Sequence, residues 1–225
     1  MHQPTTILCS AEEFTAKAAE EITDAVNHAV HTNGHCCLGL SGGSTPVSVY
    51  RLLREENKLP WSKMTVFLVD ERYVRPDHKD SNQCMVRRTL LASHELNEDQ
   101  IIFPDTTLPL GECIADYAQR LRDVHPDVLV LGMGDDAHIA SLFPPLSEDA
   151  FSGGPVIHTT TERFAVHDRI SLTLPLLQLA SSRIFLLNGD AKYQLMQKVA
   201  AAKEGPHTYP ARALMDDRTV WVVGK

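Results

Sequence analysis

Several features are scarce in this chain of 225 residues, and each scarcity excludes a class of protein. No apolar run approaches the about 18 residues that a membrane-spanning helix needs, and the amino terminus lacks the charged and apolar segments of a secretory signal. The five cysteines are odd in number and form no paired CxxC motif, which indicates reduced thiols rather than a disulfide framework or a zinc site. We therefore expect a soluble, cytoplasmic protein.

Basic charge is also scarce. The chain has 21 Lys and Arg against 29 Asp and Glu, a formal net charge of −8, and no basic run that could neutralise a row of phosphates. A nucleic-acid partner is therefore not expected, and a small anionic ligand would have to be held by a few local cations. No repeat, low-complexity tract or linker divides the sequence, and 43% of it is hydrophobic, which predicts one domain over residues 1–225.

Short apolar runs alternate with helical patterns. The runs, rich in β-branched or aromatic residues, cover 36–40, 64–70, 127–132, 183–189 and 219–224. The helical patterns cover 11–32, after a capping box at Ser10–Glu13, and then 45–56, 81–91, 111–124 and 191–202. This alternation predicts an α/β fold with a parallel sheet flanked by helices and right-handed crossovers. Residues 144–168, rich in proline, glycine and acidic side chains, predict a surface loop near the ligand.

The first motif is LGLSGGSTPVSVYRLL, in which an apolar strand stops at Ser41, Gly42, Gly43 and Ser44. Thr45 is then expected to cap the next helix, and the proline after it suits the first helical turn. Glycines allow close approach of a ligand, and free N–H groups at a helix start favour phosphate. An ordinary crossover turn explains the motif equally well. The motif is neither a P-loop nor a GxGxxG fingerprint, so it does not imply a nucleotide.

Two further motifs follow predicted strands. In VDERYVRPDHKDSN, Arg72 could bind a phosphate in a bidentate manner and Asp70 could orient a hydroxyl or transfer a proton, although a solvated polar loop would also explain the run. In LGMGDDAHIASLFP, Asp136 lies two residues before His138, close enough to orient an imidazole that exchanges protons near neutral pH. A metal site is possible there in principle, but HExxH or similar ligand spacing is missing, so we predict none.

Two cations lie at later element boundaries. Arg169 begins the alternating stretch DRISLTLPLL, and Lys192 enters the first turn of a helix, where a cation is unfavourable unless an anion is nearby. Each alone is most simply a solvated surface cation. Together, four turns that carry glycines, acids, a histidine and cations predict one ligand site.

The combination resembles a known family. SGGSTP, VDERYV with DHKDSN, GMGDDAHIASLFP, RISLTLP and NGDAK, in this order over roughly residues 36–223, are similar to the motifs of the 6-phosphogluconolactonase family. The resemblance implies the Rossmann-like fold that this family shares with glucosamine-6-phosphate deaminase and ribose-5-phosphate isomerase. It also implies hydrolysis of a phosphorylated sugar lactone without cofactor or metal. We expect a monomer or small homo-oligomer, and the sequence does not distinguish between them.

The resemblance further implies residue roles. The catalytic histidine corresponds to His138, and the family's DER segment corresponds to Asp70–Arg72. Arg169 and Lys192 resemble positions that hold the phosphorylated sugar. The family usually has glycine where this chain has Ala137. If that position needs a positive φ, alanine there costs about 1 kcal/mol and could shift the histidine.

Two alternatives remain at this stage. The first is glucosamine-6-phosphate deamination with isomerisation, whose enzymes typically have DEY where this chain has DER and continue differently after the histidine. The second is a sugar-phosphate-binding domain without catalysis, which the alanine at position 137 keeps in consideration. Asp136 and His138 favour the enzyme.

Overall fold

The structure, a computed structural model, describes residues 3–92 and 96–225. Its strands are β1 (Thr5–Cys9), β2 (Cys36–Leu40), β3 (Met64–Leu68), β4 (Asp70–Arg72), β5 (Ile101–Ile102), β6 (Val128–Leu131), β7 (Val156–Thr160), β8 (Asp168–Leu172), β9 (Ser182–Asn188) and β10 (Thr219–Gly224). Its helices are α1 (Phe14–Asn33), α2 (Thr45–Glu56), α3 (Asn82–Thr89), α4 (Leu110–Arg120), α5 (Asp149–Ser152), α6 (Leu174–Leu179) and α7 (Asp190–Ala201). Within these residues, none of the helices has the length and apolarity to cross a membrane.

A seven-stranded parallel sheet forms the centre of the molecule, which confirms the predicted α/β fold. Its strands lie in the order β1, β10, β9, β6, β2, β3, β5. The apolar runs predicted five of these strands and missed the edge strands β1 and β5. Every residue of β6 is buried, as expected for a strand covered by helices on both faces. Because the strands are parallel, the loops after β2, β6 and β9 open at the same edge of the sheet.

A second, three-stranded antiparallel sheet, in the order β4, β8, β7, lies beside that edge. It corrects two predictions. The predicted strand 64–70 ends at Leu68, because the N–H of Val69 donates to Leu40 O (3.0 Å) whereas its carbonyl accepts from Leu172 N (2.9 Å) in the other sheet. The predicted loop 144–168 contains α5 and β7, whose backbone bonds to β8.

The start of α1 and the cap of α2 differ from the predictions, whereas α2 covers Thr45–Glu56 as predicted. The capping box at Ser10–Glu13 forms, with Glu13 N to Ser10 Oγ at 3.3 Å and Ser10 N to Glu13 Oε2 at 3.1 Å, but α1 begins after it, at Phe14 rather than at residue 11. Thr45 is not a cap: it is the first residue of α2, and Ser44 occupies the cap position without a side-chain hydrogen bond.

The other helices differ at their ends from the predicted ranges: α3 covers Asn82–Thr89, α4 covers Leu110–Arg120 and α7 covers Asp190–Ala201. In α3 the difference has a local cause, because Ser81 is its N-cap and its Oγ accepts from Cys84 N at 3.2 Å.

Gly39 allows the sheet to pack tightly at its centre. It lies in β2 between its register partners, Phe67 of β3 and Leu129 of β6. A Cβ at this position would lie 2.4 Å from Leu129 Cδ2 and 2.7 Å from the Phe67 ring. The two neighbouring side chains therefore occupy the space that any larger residue would need.

Gly39→Ala should lower the free energy of unfolding by about 1–3 kcal/mol, because the added methyl overpacks this part of the core. Urea unfolding measures the change. Gly111→Ala, in the first turn of α4 with nothing within 4 Å of the added Cβ, is the matched control and should be neutral or stabilising. Equal stability of Gly39→Ala and wild type would contradict the tight packing.

Candidate active site

A cavity of about 570 Å³ opens where the carboxyl ends of the central strands meet the small sheet. Every site residue predicted from the sequence, with the exception of Asp136, lines it: Ser41, Gly42, Gly43, Ser44, Thr45, Asp70, Arg72, His138, Arg169 and Lys192. Asp136 lies directly behind His138 and bonds to it. The structure thus brings together residues that are up to about 150 positions apart in the sequence.

The glycine turn between β2 and α2 forms one wall. Gly43 has a φ of 95°, which favours glycine, and Tyr50 Oη donates to Ser41 O at 2.9 Å from inside the core. Gly42 lies against the side chain of Asn82, since a Cβ on it would be 1.8 Å from Asn82 Oδ1. The turn therefore presents the amino-terminal end of α2 to the cavity, a position that favours an anion.

His138, in the cavity wall, makes a short polar contact with Asp136 behind it. Asp136 Oδ1 lies 2.5 Å from His138 Nδ1 and accepts the His138 backbone N–H at 3.1 Å. The second carboxylate oxygen accepts a hydrogen bond from Arg163 Nη1. Burial disfavours the charged carboxylate, but the hydrogen bonds and charge of His138, together with Arg163, lower the pKa of Asp136 to about 2. Asp136 is therefore an ionised acceptor at neutral pH.

The imidazole of His138 is confined on several sides. Its centroid lies 4.7 Å from that of Phe143 and 6.0 Å from that of Phe164, the latter edge to face. A Cβ on Gly134 would lie 2.0 Å from two atoms of the ring, so the backbone of Gly134 touches the imidazole. The position of Nδ1 against Asp136 leaves Nε2 as the nitrogen available to a ligand.

Ala137, which lies between Asp136 and His138 in the sequence, has a φ of 65°, so this position does require left-handed backbone. With alanine at this position, His138 keeps both of its contacts with Asp136. The methyl group of Ala137 is fully buried in the core, which provides apolar contact to set against the strain.

Two arginines meet across the small sheet. Arg72 and Arg169 are direct partners in the β4–β8 register. Arg72 Nη1 donates to Asp80 O at 2.7 Å, and Arg169 Nε donates to Val166 O at 3.0 Å. Within the described ranges, neither guanidinium forms an ion pair with a carboxylate. Burial first, and then the charge of Arg72, lower the pKa of Arg169. Adjacent positive charges of this kind favour an anionic ligand.

Lys192, at the start of α7, reaches the turn after β6. Its Nζ donates to Met133 O at 2.7 Å and to Asp135 Oδ1 at 2.6 Å. The hydrogen bond and charge of Lys192 lower the pKa of Asp135. Because Asp135 is largely exposed, water screens this ion pair and the ammonium can still contribute to anion binding at the cavity.

Asp70 and Glu71 are neighbours in sequence but have different surroundings. Asp70 lines the cavity, and its Oδ2 accepts from Ser141 Oγ at 2.6 Å. Glu71 is fully buried and accepts the backbone N–H groups of Asn82 (2.6 Å) and Gln83 (2.8 Å) at the start of α3. Of the DER segment, Asp70 and Arg72 therefore line the cavity, whereas the carboxylate of Glu71 holds α3 in place.

The cavity residues that were not predicted from the sequence include Asn82, Ser141, Arg163 and Phe164. Asn82 and Ser141 lie inside two of the motifs, in DHKDSN and in GMGDDAHIASLFP, but nothing local distinguishes them from structural polar residues. Arg163 and Phe164 lie in the region 144–168, where ligand contacts were expected but no residue could be chosen.

No metal-binding group is evident in the part of the chain that the structure describes: no three His, Cys, Asp or Glu side chains lie together there. Its five cysteines are free thiols. Burial raises the pKa of Cys37 and of Cys113 to about 11, which keeps both thiols protonated at neutral pH.

Comparison with known proteins gives consistent matches. A model of the family described as glucosamine-6-phosphate isomerases/6-phosphogluconolactonase matches residues 9–221. The chain is 33% identical to a probable 6-phosphogluconolactonase from Dictyostelium discoideum, over 93% of this chain and 92% of that protein. It is also similar to the solved structure of 6-phosphogluconolactonase from Thermotoga maritima, with a TM-score of 0.90 and 28% identity over 99% of this chain and 100% of that one. The Plasmodium vivax structure of the same name gives a TM-score of 0.90 and 31% identity, over 100% of this chain and 91% of that one.

Ala137→Gly should change the free energy of unfolding by no more than about 1 kcal/mol. Glycine relieves left-handed strain, but it loses a buried methyl worth about 0.8 kcal/mol and gains freedom in the unfolded chain. Urea unfolding measures this, with Ala140→Gly as the comparison. Ala140 has a φ of 48° and a half-buried methyl, so its replacement should be the more favourable. A stabilisation above about 2 kcal/mol for Ala137→Gly would show that strain dominates.

Proposed function

Because the chain belongs to the glucosamine-6-phosphate isomerase and 6-phosphogluconolactonase family, we propose that it hydrolyses 6-phospho-D-glucono-1,5-lactone to 6-phospho-D-gluconate. This is the second step of the oxidative pentose phosphate pathway. One observation carries the proposal most strongly: a histidine oriented by a carboxylate faces a cavity that also holds two adjacent arginines, and no carboxylate among the described residues pairs with either arginine. That arrangement suits proton transfer at one end of a substrate and phosphate binding at the other.

The lactone carbonyl is already electrophilic, so the reaction needs a positioned water, a base and charge stabilisation. Nδ1 of His138 donates to the ionised Asp136, and the lone pair on Nε2 takes a proton from the water that attacks C1. The resulting imidazolium donates that proton to the ring oxygen as the bond from C1 to this oxygen breaks. The product is a carboxylic acid, which releases one proton to solvent.

Phosphate and hydroxyl groups are assigned to the remaining cavity residues. Arg72, Arg169, Lys192 and the turn 41–45 supply guanidinium, ammonium and backbone N–H donors for the phosphorylated sugar. Asp70, held by Ser141, supplies an acceptor for a sugar hydroxyl. These donors also explain how a protein with a net charge of −8 attracts an anionic substrate, because they place several positive charges together at this cavity.

His138→Ala should lower kcat by about a hundredfold or more, because the general base is lost. Turnover of freshly generated lactone is followed by acid release near neutral pH against spontaneous hydrolysis. His158→Ala is the matched control: His158 also pairs with an aspartate, Asp168, at 2.8 Å, but does not line the cavity, so its loss should leave kcat unchanged.

The alternatives have distinct outcomes in the same assay. Ammonia release from glucosamine 6-phosphate would indicate the deaminase reaction, and binding of 6-phosphogluconate without any turnover would indicate a sugar-phosphate-binding domain. Either result from the wild-type protein would refute lactone hydrolysis as its function, and unchanged kcat in His138→Ala would remove this residue from the mechanism.

Gly134→Ala should lower kcat by about a hundredfold. The added methyl carbon would lie 2.0 Å from ring atoms of His138, so the imidazole has to move. Gly132→Ala, in the same turn, adds a methyl with nothing within 4 Å and should keep the His138 ring in place. Steady-state kinetics of both variants, with urea unfolding to confirm that they are folded, provide the comparison. Similar kcat for Gly134→Ala and wild type would mean that the imidazole tolerates displacement.

A further inference from the structure

Arg163 has no role in the mechanism above, although it lines the cavity. It lies in the segment 161–167, between β7 and β8, and its Nη1 donates to Asp136 Oδ2. The other oxygen of the same carboxylate accepts both the ring and the backbone N–H of His138. One carboxylate therefore connects an arginine from the segment between β7 and β8 to the candidate base on the turn after β6.

We propose that Arg163 is a positioning residue: by binding the second oxygen of Asp136, it fixes the carboxylate plane and so holds the imidazole of His138 with Nε2 toward the substrate. This inference rests on the proposed lactone hydrolysis.

The argument begins with rotation of the aspartate. The terminal torsion of an aspartate side chain is broad, so contacts at one oxygen leave the carboxylate plane free to turn. A donor on the other oxygen restricts it. Asp136 has 15% of its side chain exposed and Arg163 has 53%, so the pair contributes little to stability, and its main effect is on geometry.

The segment that carries Arg163 is itself held in place. Thr161 N donates to His167 O at 3.1 Å and closes the base of the segment, and Arg163 N donates to Thr161 Oγ1 at 3.2 Å. Arg169 donates to Val166 O, and its guanidinium lies 5.4 Å from the centroid of the Phe164 ring. These contacts place Arg163 where it can hold Asp136.

A role for Arg163 in binding phosphate is less well supported. Its guanidinium is already bound to a carboxylate, whereas those of Arg72 and Arg169 are bound only to carbonyl groups in the described part of the chain. A positioning role and a binding role also affect kinetics differently, because a lost phosphate contact raises KM whereas a misoriented base lowers kcat.

The kinetic test compares Arg163→Met with Arg163→Lys. Arg163→Met should lower kcat about 10- to 100-fold, as loss of an outer hydrogen-bond partner of a functional histidine does, with KM nearly unchanged. Arg163→Lys keeps a cation that can reach Asp136 and should recover most of the loss. Arg75→Met is the control, because Arg75 is an exposed arginine paired with Asp77 outside the cavity lining. A rise in KM with kcat unchanged would overturn the proposal.

A double-mutant cycle tests whether Arg163 acts through Asp136. In an Asp136→Asn background, Arg163→Met should have little further effect on kcat, because the amide already lacks the charge and geometry that Arg163 fixes. Independent, multiplicative losses would refute an action through Asp136.

Nuclear magnetic resonance of the full chain separates this inference from the proposed function. The ring-nitrogen signals of His138 are assigned by their loss in His138→Gln. At a pH where imidazoles are neutral, these signals should show one tautomer, protonated at Nδ1, in wild type and in Arg163→Lys. Arg163→Met should show both tautomers or exchange broadening. If wild type lacks lactonase activity but the spectra change in this way, the proposed function fails and the positioning role stands. Identical spectra in Arg163→Met and wild type would overturn the positioning role whatever the activity.

Discussion

Parallel hydrogen bonding of the central strands brings the functional residues together. The turns after β2, β6 and β9 belong to distant parts of the sequence, yet all three leave the sheet at its carboxyl edge. Val69 then carries the chain from β3 into the small antiparallel sheet, since its N–H bonds to one sheet and its carbonyl to the other. The arginines of that sheet are thereby placed beside the glycine turn and the histidine, and the cavity exists only because both sheets share this edge.

The charge distribution of the cavity follows from which acceptors each cation finds. Arg72 and Arg169 donate to carbonyl groups, which hold a guanidinium without cancelling its charge. Arg163 and Lys192 instead meet carboxylates on the turn after β6. Positive charge therefore remains available beside the small sheet, whereas it is partly neutralised near His138. An anion should therefore bind beside Arg72 and Arg169, and the region around His138 is left for proton transfer.

The sequence predicted the buried strands well and the partly exposed ones poorly. A run such as VLVL in β6 is apolar throughout because both faces are covered. By contrast, β1 has no buried residue, and β7 combines buried and exposed residues in too few positions to show a period. The site was predictable where a residue type restricts the chemistry, as for His138. The contact of Arg163 with Asp136 and the hydrogen bonds of Glu71 to the start of α3 join distant segments, and one sequence does not reveal such contacts.

Two carboxylates near the same edge illustrate how environment decides their use. Burial raises the pKa of Glu71 to about 7, although backbone N–H groups at the start of α3 oppose the rise. Burial acts in the same direction on Asp136, but the imidazole and a guanidinium reverse it and lower its pKa to about 2. An acid that accepts hydrogen bonds from the N–H groups at a helix start is suited to hold that helix. An acid between an imidazole and a guanidinium stays ionised and can keep the histidine in one tautomer. Their sequence context, an acid after an apolar strand, is similar in both cases, so the distinction comes entirely from the neighbours that the fold supplies.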